Sequence, residues 1–239
     1  KQFGTYFGKK IIETEKICVS TSTMNFQGYL NCRNYSFVLK LLGHPLFYPI
    51  NKLLKKLNIE WYDFSRTLFD TLKTNKIDGK FRELYLEFLK KSHEELFDTK
   101  EECAKFYSED ENYKKMVEGS LAENLAAKYV VIGIINYNEI LDYIFKVIKT
   151  MLIDSSKEVN KEILESSKKW LQNLYLINEI VEDKAYQNNY IIDLDFDFPN
   201  WLEDSNSSLD KYKYNILYNI SFEDQKIKKI RNEIYAIFG

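Results

Sequence analysis

Hydrophobic positions recur at helical spacing over most of the chain and alternate only near its two ends. Lys10 to Ser20 carry Ile11, Ile12, Ile17 and Val19 in a β-branched stretch of strand length. Thr21-Ser22-Thr23-Met24-Asn25 is a capping cluster. After it Phe26, Tyr29, Leu30, Phe37, Val38, Leu41 and Leu42 return at helical spacing. Asn25 is the expected N-cap, its side-chain oxygen accepting a backbone N–H of the first turn, and Gly43-His44-Pro45 stops that helix. Leu53, Leu54 and Leu57 predict a short helix ending near Asn58. Trp61, Phe64, Leu68, Phe69 and Leu72 form the stripe of the next. Asp78-Gly79 is a break, and Phe81, Leu84, Tyr85, Phe88 and Leu89 begin another stripe. Thr99 followed by Glu102 reads as a capping box for the helix carrying Cys103 and Phe106. Further helices are predicted around Met116 to Val117, Leu121 to Ile135, Tyr137 to Ile153 and Val159 to Leu176.

Near the C-terminus Ile192, Leu194, Phe196 and Phe198 alternate with Asp193, Asp195 and Asp197, which is strand periodicity. Pro199 ends it, Ser205-Asn206-Ser207-Ser208 reads as a loop, and Tyr214 to Ile220 as another strand. Ser221 is the expected cap of a last helix with Ile227, Ile230 and Ile234 inward. The pattern therefore predicts a mainly α fold, a multi-helix domain with a small β element formed by N-terminal and C-terminal strands. Residues 1–24 read as a junction segment with a strand, and 25–239 as a mainly helical domain with terminal strands near 190–198 and 212–220.

Composition narrows the function classes. Among 239 residues, 34 Lys and Arg stand against 36 Asp and Glu, a net charge of −2. That balance lacks the excess cation a dedicated nucleic-acid binder uses to displace counterions from phosphate. Three cysteines cannot build a disulfide scaffold, so a reducing, cytoplasmic setting is expected. The most apolar run, Tyr129 to Ile135, falls short of the ~20 apolar residues of a membrane span and predicts a buried core helix. No membrane segment is expected. The chain opens on Lys1 and the aromatic string Phe3 to Gly8, and is read as a piece of a longer protein.

The reactive inventory is thin. His44 and His93 are the two histidines, and His93-Glu94-Glu95-Leu96-Phe97 lacks the second histidine of a zinc-protease helix. Cys18, Cys32 and Cys103 have no metal-ligand spacing and are expected as small buried hydrophobes. No phosphate-cradling glycine loop or nucleophile elbow occurs. Asp193, Asp195 and Asp197, with Asp204 twelfth in line from Asp193, suggest a calcium loop. The sixth position is Phe198, however, where the tight turn wants glycine, and strand alternation instead turns these carboxylates to water. Lys226, Lys228, Lys229 and Arg231 are expected on the solvated face of the last helix. The aromatics of Trp61-Tyr62-Asp63-Phe64 and Pro199-Asn200-Trp201-Leu202 are expected in the core rather than in a ligand pocket. No catalytic, cofactor-binding or metal-binding residue is assigned.

The N-terminal quarter is similar to a known family. Phe3-Gly4-Thr5-Tyr6-Phe7-Gly8-Lys9-Lys10, then Ile11 to Ser20, then Thr21-Ser22-Thr23-Met24-Asn25-Phe26 resembles the stretch just after the catalytic barrel of cobalamin-binding radical S-adenosylmethionine proteins. There a Gly-containing aromatic segment leads into an acidic, valine-rich strand, and a capping turn opens an aromatic-rich helix, as Tyr29 to Leu42 does here. The likeness covers residues 3–45; beyond them only the style of successive helices with a terminal strand–helix element is shared.

The family's cluster motif, Cys-x3-Cys-x2-Cys, is absent from this chain, so no catalytic residue carries over. The resemblance implies a non-catalytic C-terminal region that covers or completes the active site of a parent enzyme. That parent uses S-adenosylmethionine, a 4Fe-4S cluster and, in this branch, cobalamin, none of them held by this chain. The implied partners are the chain's own upstream catalytic domains. Phe3, Tyr6, Phe7 and the strand from Ile11 to Val19 are then expected to expose an apolar surface and to favour self-association. Two other readings compete: a free-standing helical binding or interaction module, and a small-molecule enzyme using Asp195 and Asp197.

Overall fold

Asn25 opens the first long helix. Its Oδ1 accepts the Gly28 N–H at 2.8 Å and its carbonyl accepts the Tyr29 N–H at 3.0 Å, pairing donors that a helix N-terminus otherwise leaves free. The computed structural model describes residues 3–122, 124–154, 161–174, 177, 189–204, 209, 211–219 and 225–238. Helix dominates, as the spacing predicts. In order the helices are α1 (Phe26–Leu42), α2 (Tyr48–Lys56), α3 (Trp61–Thr74), α4 (Lys80–Glu94), α5 (Lys100–Ser108) and α6 (Asp110–Val117). They continue with α7 (Leu125–Ile135), α8 (Tyr137–Asp154), α9 (Lys161–Asn173), α10 (Phe198–Glu203) and α11 (Gln225–Phe238). The expected loop at Ser205 to Ser208 and the expected cap at Ser221 lie outside the described residues, as do 159–160 and 175–176 of the helix expected over Val159 to Leu176.

The helix stops are chemical. Asn58 and Asn75 take φ of 52° and 56°, the left-handed region that asparagine tolerates better than most residues. Thr99 Oγ1 accepts the Glu102 N–H at 3.1 Å and starts α5. One start differs from expectation: α7 begins at Leu125 rather than near Leu121. Ala122 sits at φ 62°, and Asn124 supplies the cap, its Oδ1 accepting the Ala127 N–H at 3.1 Å.

The strands pair within each end of the chain, not across it. β1 (Phe3–Tyr6) pairs antiparallel with β2 (Lys9–Ile12), Tyr6 opposite Lys9 and Phe3 opposite Ile12. β3 (Asn189–Phe196) pairs antiparallel with β4 (Lys211–Asn219), with a register shift between Leu194 and Phe196. The strand expected from Lys10 to Ser20 is regular only as far as Ile12. A two-residue turn at Phe7-Gly8 brings Phe3 to Tyr6 alongside as its partner, and residues beyond Ile12 have no strand to pair with.

Contacts group the chain into two units: residues 1–37 with 85–129, and residues 38–84 with 130–239. Helices α1, α4 and α7 each supply residues to both. In the first unit Phe37, Phe88 and Tyr129 form an aromatic triad. The two phenylalanine rings stack at 4.2 Å, and Tyr129 meets them edge-on at 6.3 and 5.5 Å. A second cluster gathers Cys103, Tyr107 and Met116 under Ile12, Phe97 and Tyr113. The Arg33–Glu95 ion pair of the same unit is partly buried.

In the second unit α8 is central. Tyr137, Ile140, Leu141, Ile144 and Ile148 are wholly buried, with α3 and α9 packed against the helix and β3 against α9. The Tyr137 hydroxyl donates to the Leu46 carbonyl at 3.2 Å, which satisfies an otherwise costly buried group.

Gly133 marks a close approach within this unit. A Cβ there would stand 2.7 Å from Leu41 Cδ1, and Leu41 is wholly buried, so the leucine has little room to yield. Gly133→Ala is therefore expected to lower stability by about 1–2 kcal/mol, crowding outweighing the ~1 kcal/mol that alanine gains in a helix. Urea denaturation of the variant beside the parent chain measures it.

Candidate interaction surface

The β1–β2 hairpin presents two chemically distinct faces. In the antiparallel register Phe3, Thr5, Lys10 and Ile12 share one side and Gly4, Tyr6, Lys9 and Ile11 the other. The first side packs on α5 and α6. Phe3 meets the Tyr113 ring edge-on at 6.1 Å, Thr5 Oγ1 hydrogen-bonds the Tyr113 hydroxyl at 2.9 Å, and Ile12 joins the Cys103 cluster. Lys10 Nζ donates to the Ser108 carbonyl at 2.8 Å, pairs with Asp110 and stands 4.9 Å from the centre of the Tyr113 ring. The hairpin is thus held by specific contacts of its inner face.

Its outer face is open and, apart from Lys9, apolar: Tyr6 is 60% exposed, Phe7 at the tip fully so, and Ile11 about half; Ile17, in the segment after β2, is half exposed. The Tyr6 ring lies over Gly4, where a Cβ would meet Cε2 at 2.8 Å. At the tip Phe7 and Gly8 take φ of 51° and 74°. A two-residue hairpin turn calls for positive φ at both positions, and Asn-Gly is the usual solution because its twist matches that of the strands. Phenylalanine in that place costs about 1–2 kcal/mol and returns no burial.

The other candidate residues are dispersed. His93 packs edge-on against Phe26 at 5.8 Å. His44 caps the 3-10 turn Pro45–Phe47: Nδ1 accepts the Leu46 N–H at 3.4 Å, and Nε2 lies 3.1 Å from Glu233 Oε2 of α11. The neutral ring with its hydrogen on Nε2 satisfies both contacts. Cys103 is buried as expected, but Cys18 and Cys32 are exposed. Cys18 lies in the unpaired segment after β2, its thiol donating to the Ser20 carbonyl at 3.1 Å, and Cys32 stands off the buried stripe of α1.

Asp193 and Asp195 face solvent, whereas Asp197 is buried. The alternation holds through Phe196, where β3 ends, and Asp197 becomes the N-cap of α10, its Oδ1 accepting the Asn200 N–H at 3.2 Å. A helix therefore occupies 198–203, where a calcium loop would need a turn. Among the described residues no group of three or more His, Cys, Asp or Glu side chains converges, and no helix is long and apolar enough to cross a membrane.

On α11 Lys228 and Lys229 are exposed as expected and Arg231 is partly covered; the side chain of Lys226 lies outside the described residues. Of the two aromatic segments expected in the core, Phe64 and the accompanying Leu202 are buried and Trp61 is half-buried. Tyr62 is 64% exposed, and Trp201 is half-buried with the Lys56 ammonium 5.2 Å from its ring.

Two expected outcomes follow from these placements. Asp197→Ala should cost about 1 kcal/mol, the usual worth of an N-cap, while Asp193→Asn stays within about 0.5 kcal/mol; thermal denaturation separates them. Burial pulls the His44 pKa below its ordinary 6.5, with Glu233 opposing and Lys229 assisting. The unfolded chain then binds the proton more readily. Stability should be full above about pH 6.5 and fall as the pH drops through the folded value. Urea midpoints at pH 7.5 and 5 should differ less in His44→Gln than in the parent.

No known protein family, curated protein or solved structure matches this chain.

Proposed function

We propose that this chain is a non-catalytic region that covers or completes the active site of a radical S-adenosylmethionine enzyme, docking through its N-terminal hairpin. The resemblance of residues 3–45 to the stretch after the catalytic barrel of the cobalamin-binding branch gives the reading its enzyme class. The observation that carries it is Phe7. It is fully exposed at the hairpin tip and held at a φ of 51°, so neither burial nor backbone preference accounts for a large aromatic there. A residue that costs the folded chain stability without packing inside it is accounted for by contact with another surface. Tyr6 and Ile11 extend the same face, and the inner-face contacts to Tyr113 and Asp110 hold the hairpin in place as a probe. S-adenosylmethionine, the 4Fe-4S cluster and cobalamin belong to the parent's upstream domains in this reading, and the chain's role there is to exclude water from a radical intermediate's surroundings.

The test joins stability to association. Phe7→Asn should raise the melting temperature of this chain, since asparagine accepts the left-handed region that phenylalanine resists, by about 1 kcal/mol in stability. In the protein encoded by the whole reading frame, the same substitution should uncouple S-adenosylmethionine cleavage from product formation. A reading frame without a three-cysteine barrel upstream, or a Phe7→Asn protein as tightly coupled as the parent, would refute the proposal. Self-association of the chain abolished by Phe7→Asn would instead mark the hairpin as the interface of a free-standing module.

A further inference from the structure

The N-terminus of α4 holds two buried donors with nothing to receive them. Arg82 Nε and the Tyr143 hydroxyl are each shielded from water and make no hydrogen bond, and Tyr143 is only 1% exposed. Both belong to the second unit, and the Tyr143 ring lies against the residues that precede Arg82 at the start of α4. The Tyr143 ring lies edge-on to Phe81 at 5.7 Å, and its Cδ2 is 3.3 Å from where a Gly79 Cβ would stand. Gly79, at φ 155°, gives its carbonyl to the Arg82 and Glu83 N–H groups at 3.0 and 3.2 Å and so starts the helix.

Around them the charges are weakly compensated. Arg82 Nη1 stands 3.9 Å from Asp78 Oδ1, a long contact to a carboxylate that is 83% exposed, while Lys80 and Glu83 pair with each other at 3.3 Å. Burial pushes the Tyr143 hydroxyl up to about 12, against the pull of Arg82 and with a small push from Asp78, so it carries its proton throughout the neutral range. Arg82 Nε can only donate. The Arg82 guanidinium, the Tyr143 hydroxyl and the first turn of a fifteen-residue helix all call for the same partner, an oxygen bearing negative charge.

We propose that Arg82, Tyr143 and the first turn of α4 form a binding site for an oxyanion, the phosphate or carboxylate group of a small ligand. One ligand oxygen accepts from the Tyr143 hydroxyl and Arg82 Nε, and a second faces the N–H groups of Lys80 and Phe81, which do not donate to the Gly79 carbonyl. Asp78 stands at the rim as the opposing charge, and displacement of its long contact to Arg82 accompanies binding. This site is independent of the hairpin and of the enzyme class proposed above.

Thermal melting of the whole chain tests it, with inorganic phosphate and acetate titrated separately and chloride matching the ionic strength. At least one anion should raise the melting temperature beyond chloride, and the one acting at lower concentration identifies a phosphate or a carboxylate ligand. Tyr143→Phe should weaken the apparent binding constant about tenfold, the worth of one charge-assisted hydrogen bond, and Asp78→Asn should tighten it. Arg82→Gln should abolish the response. Tyr143→Phe removes only an unpaired hydroxyl and keeps the ring against Gly79 and Phe81, so it is the decisive variant if Arg82→Gln does not fold. Shifts no larger than chloride gives, or equal shifts in the parent and Tyr143→Phe, would overturn the proposal.

Discussion

Three helices must each keep one stripe apolar along their full length, and the rest of the structure depends on it. Helices α1, α4 and α7 each supply residues to both units, so a single amphipathic face serves two cores in succession. On α1 the face runs from Leu30 through Phe37 to Leu42, on α4 from Phe81 to Phe88, and on α7 from Leu125 to Ile134. A buried side chain of this kind is worth roughly 1.5–3 kcal/mol, and α8, with nine buried residues, adds its own share within the second unit. The polar exceptions show how strict the stripe is. Asn34 and Ser92 are wholly buried without partners for their side-chain polar atoms, one helical turn from the stacked Phe37 and Phe88.

Most of this helical frame is legible in the sequence because its signals are local. Asn25 and Thr99 cap the helices they precede, Gly43-His44-Pro45 ends α1, and the stripes return at helical spacing wherever burial is one-sided. What escapes is decided by pairing. The β1–β2 hairpin has no Asn-Gly turn to announce it, since Phe7 occupies the place where asparagine belongs, and its second strand then reads as a longer, solitary one. At the other end Asp197 continues the alternation of Asp193 and Asp195 in letters but not in space, because β3 ends at Phe196 and Asp197 turns inward as a helix cap. The exposed Cys18 is illegible for a similar reason: an unpaired segment after Ile12 has no face to hide it.

Candidate chemistry was legible only as a shortage. Motif spacing finds convergent nucleophiles or metal ligands, and this sequence offers none. The two features that stand out physically, an aromatic at a strained tip and a pair of unpaired buried donors, leave no spacing to be read. Phe7 is one aromatic among thirty-four tyrosines and phenylalanines (18 and 16). Arg82 and Tyr143 lie on different helices, and their meeting depends on the packing of α8 against the start of α4. Both features depart from the local consistency that otherwise runs through the chain.

The contact between Gly133 and Leu41 sets a rule for how this sequence can drift. The space a Cβ needs at 133 is occupied by the leucine's methyl groups, so the two positions are not free to change separately. A smaller side chain at 41 leaves a void, a larger one at 133 causes a clash, and each change is harmful alone. Made together, Leu41→Val and Gly133→Ala relieve one another, so their joint cost falls below the sum of the two. Across diverged sequences of this fold the two sites should therefore move as a pair, large with glycine or small with alanine.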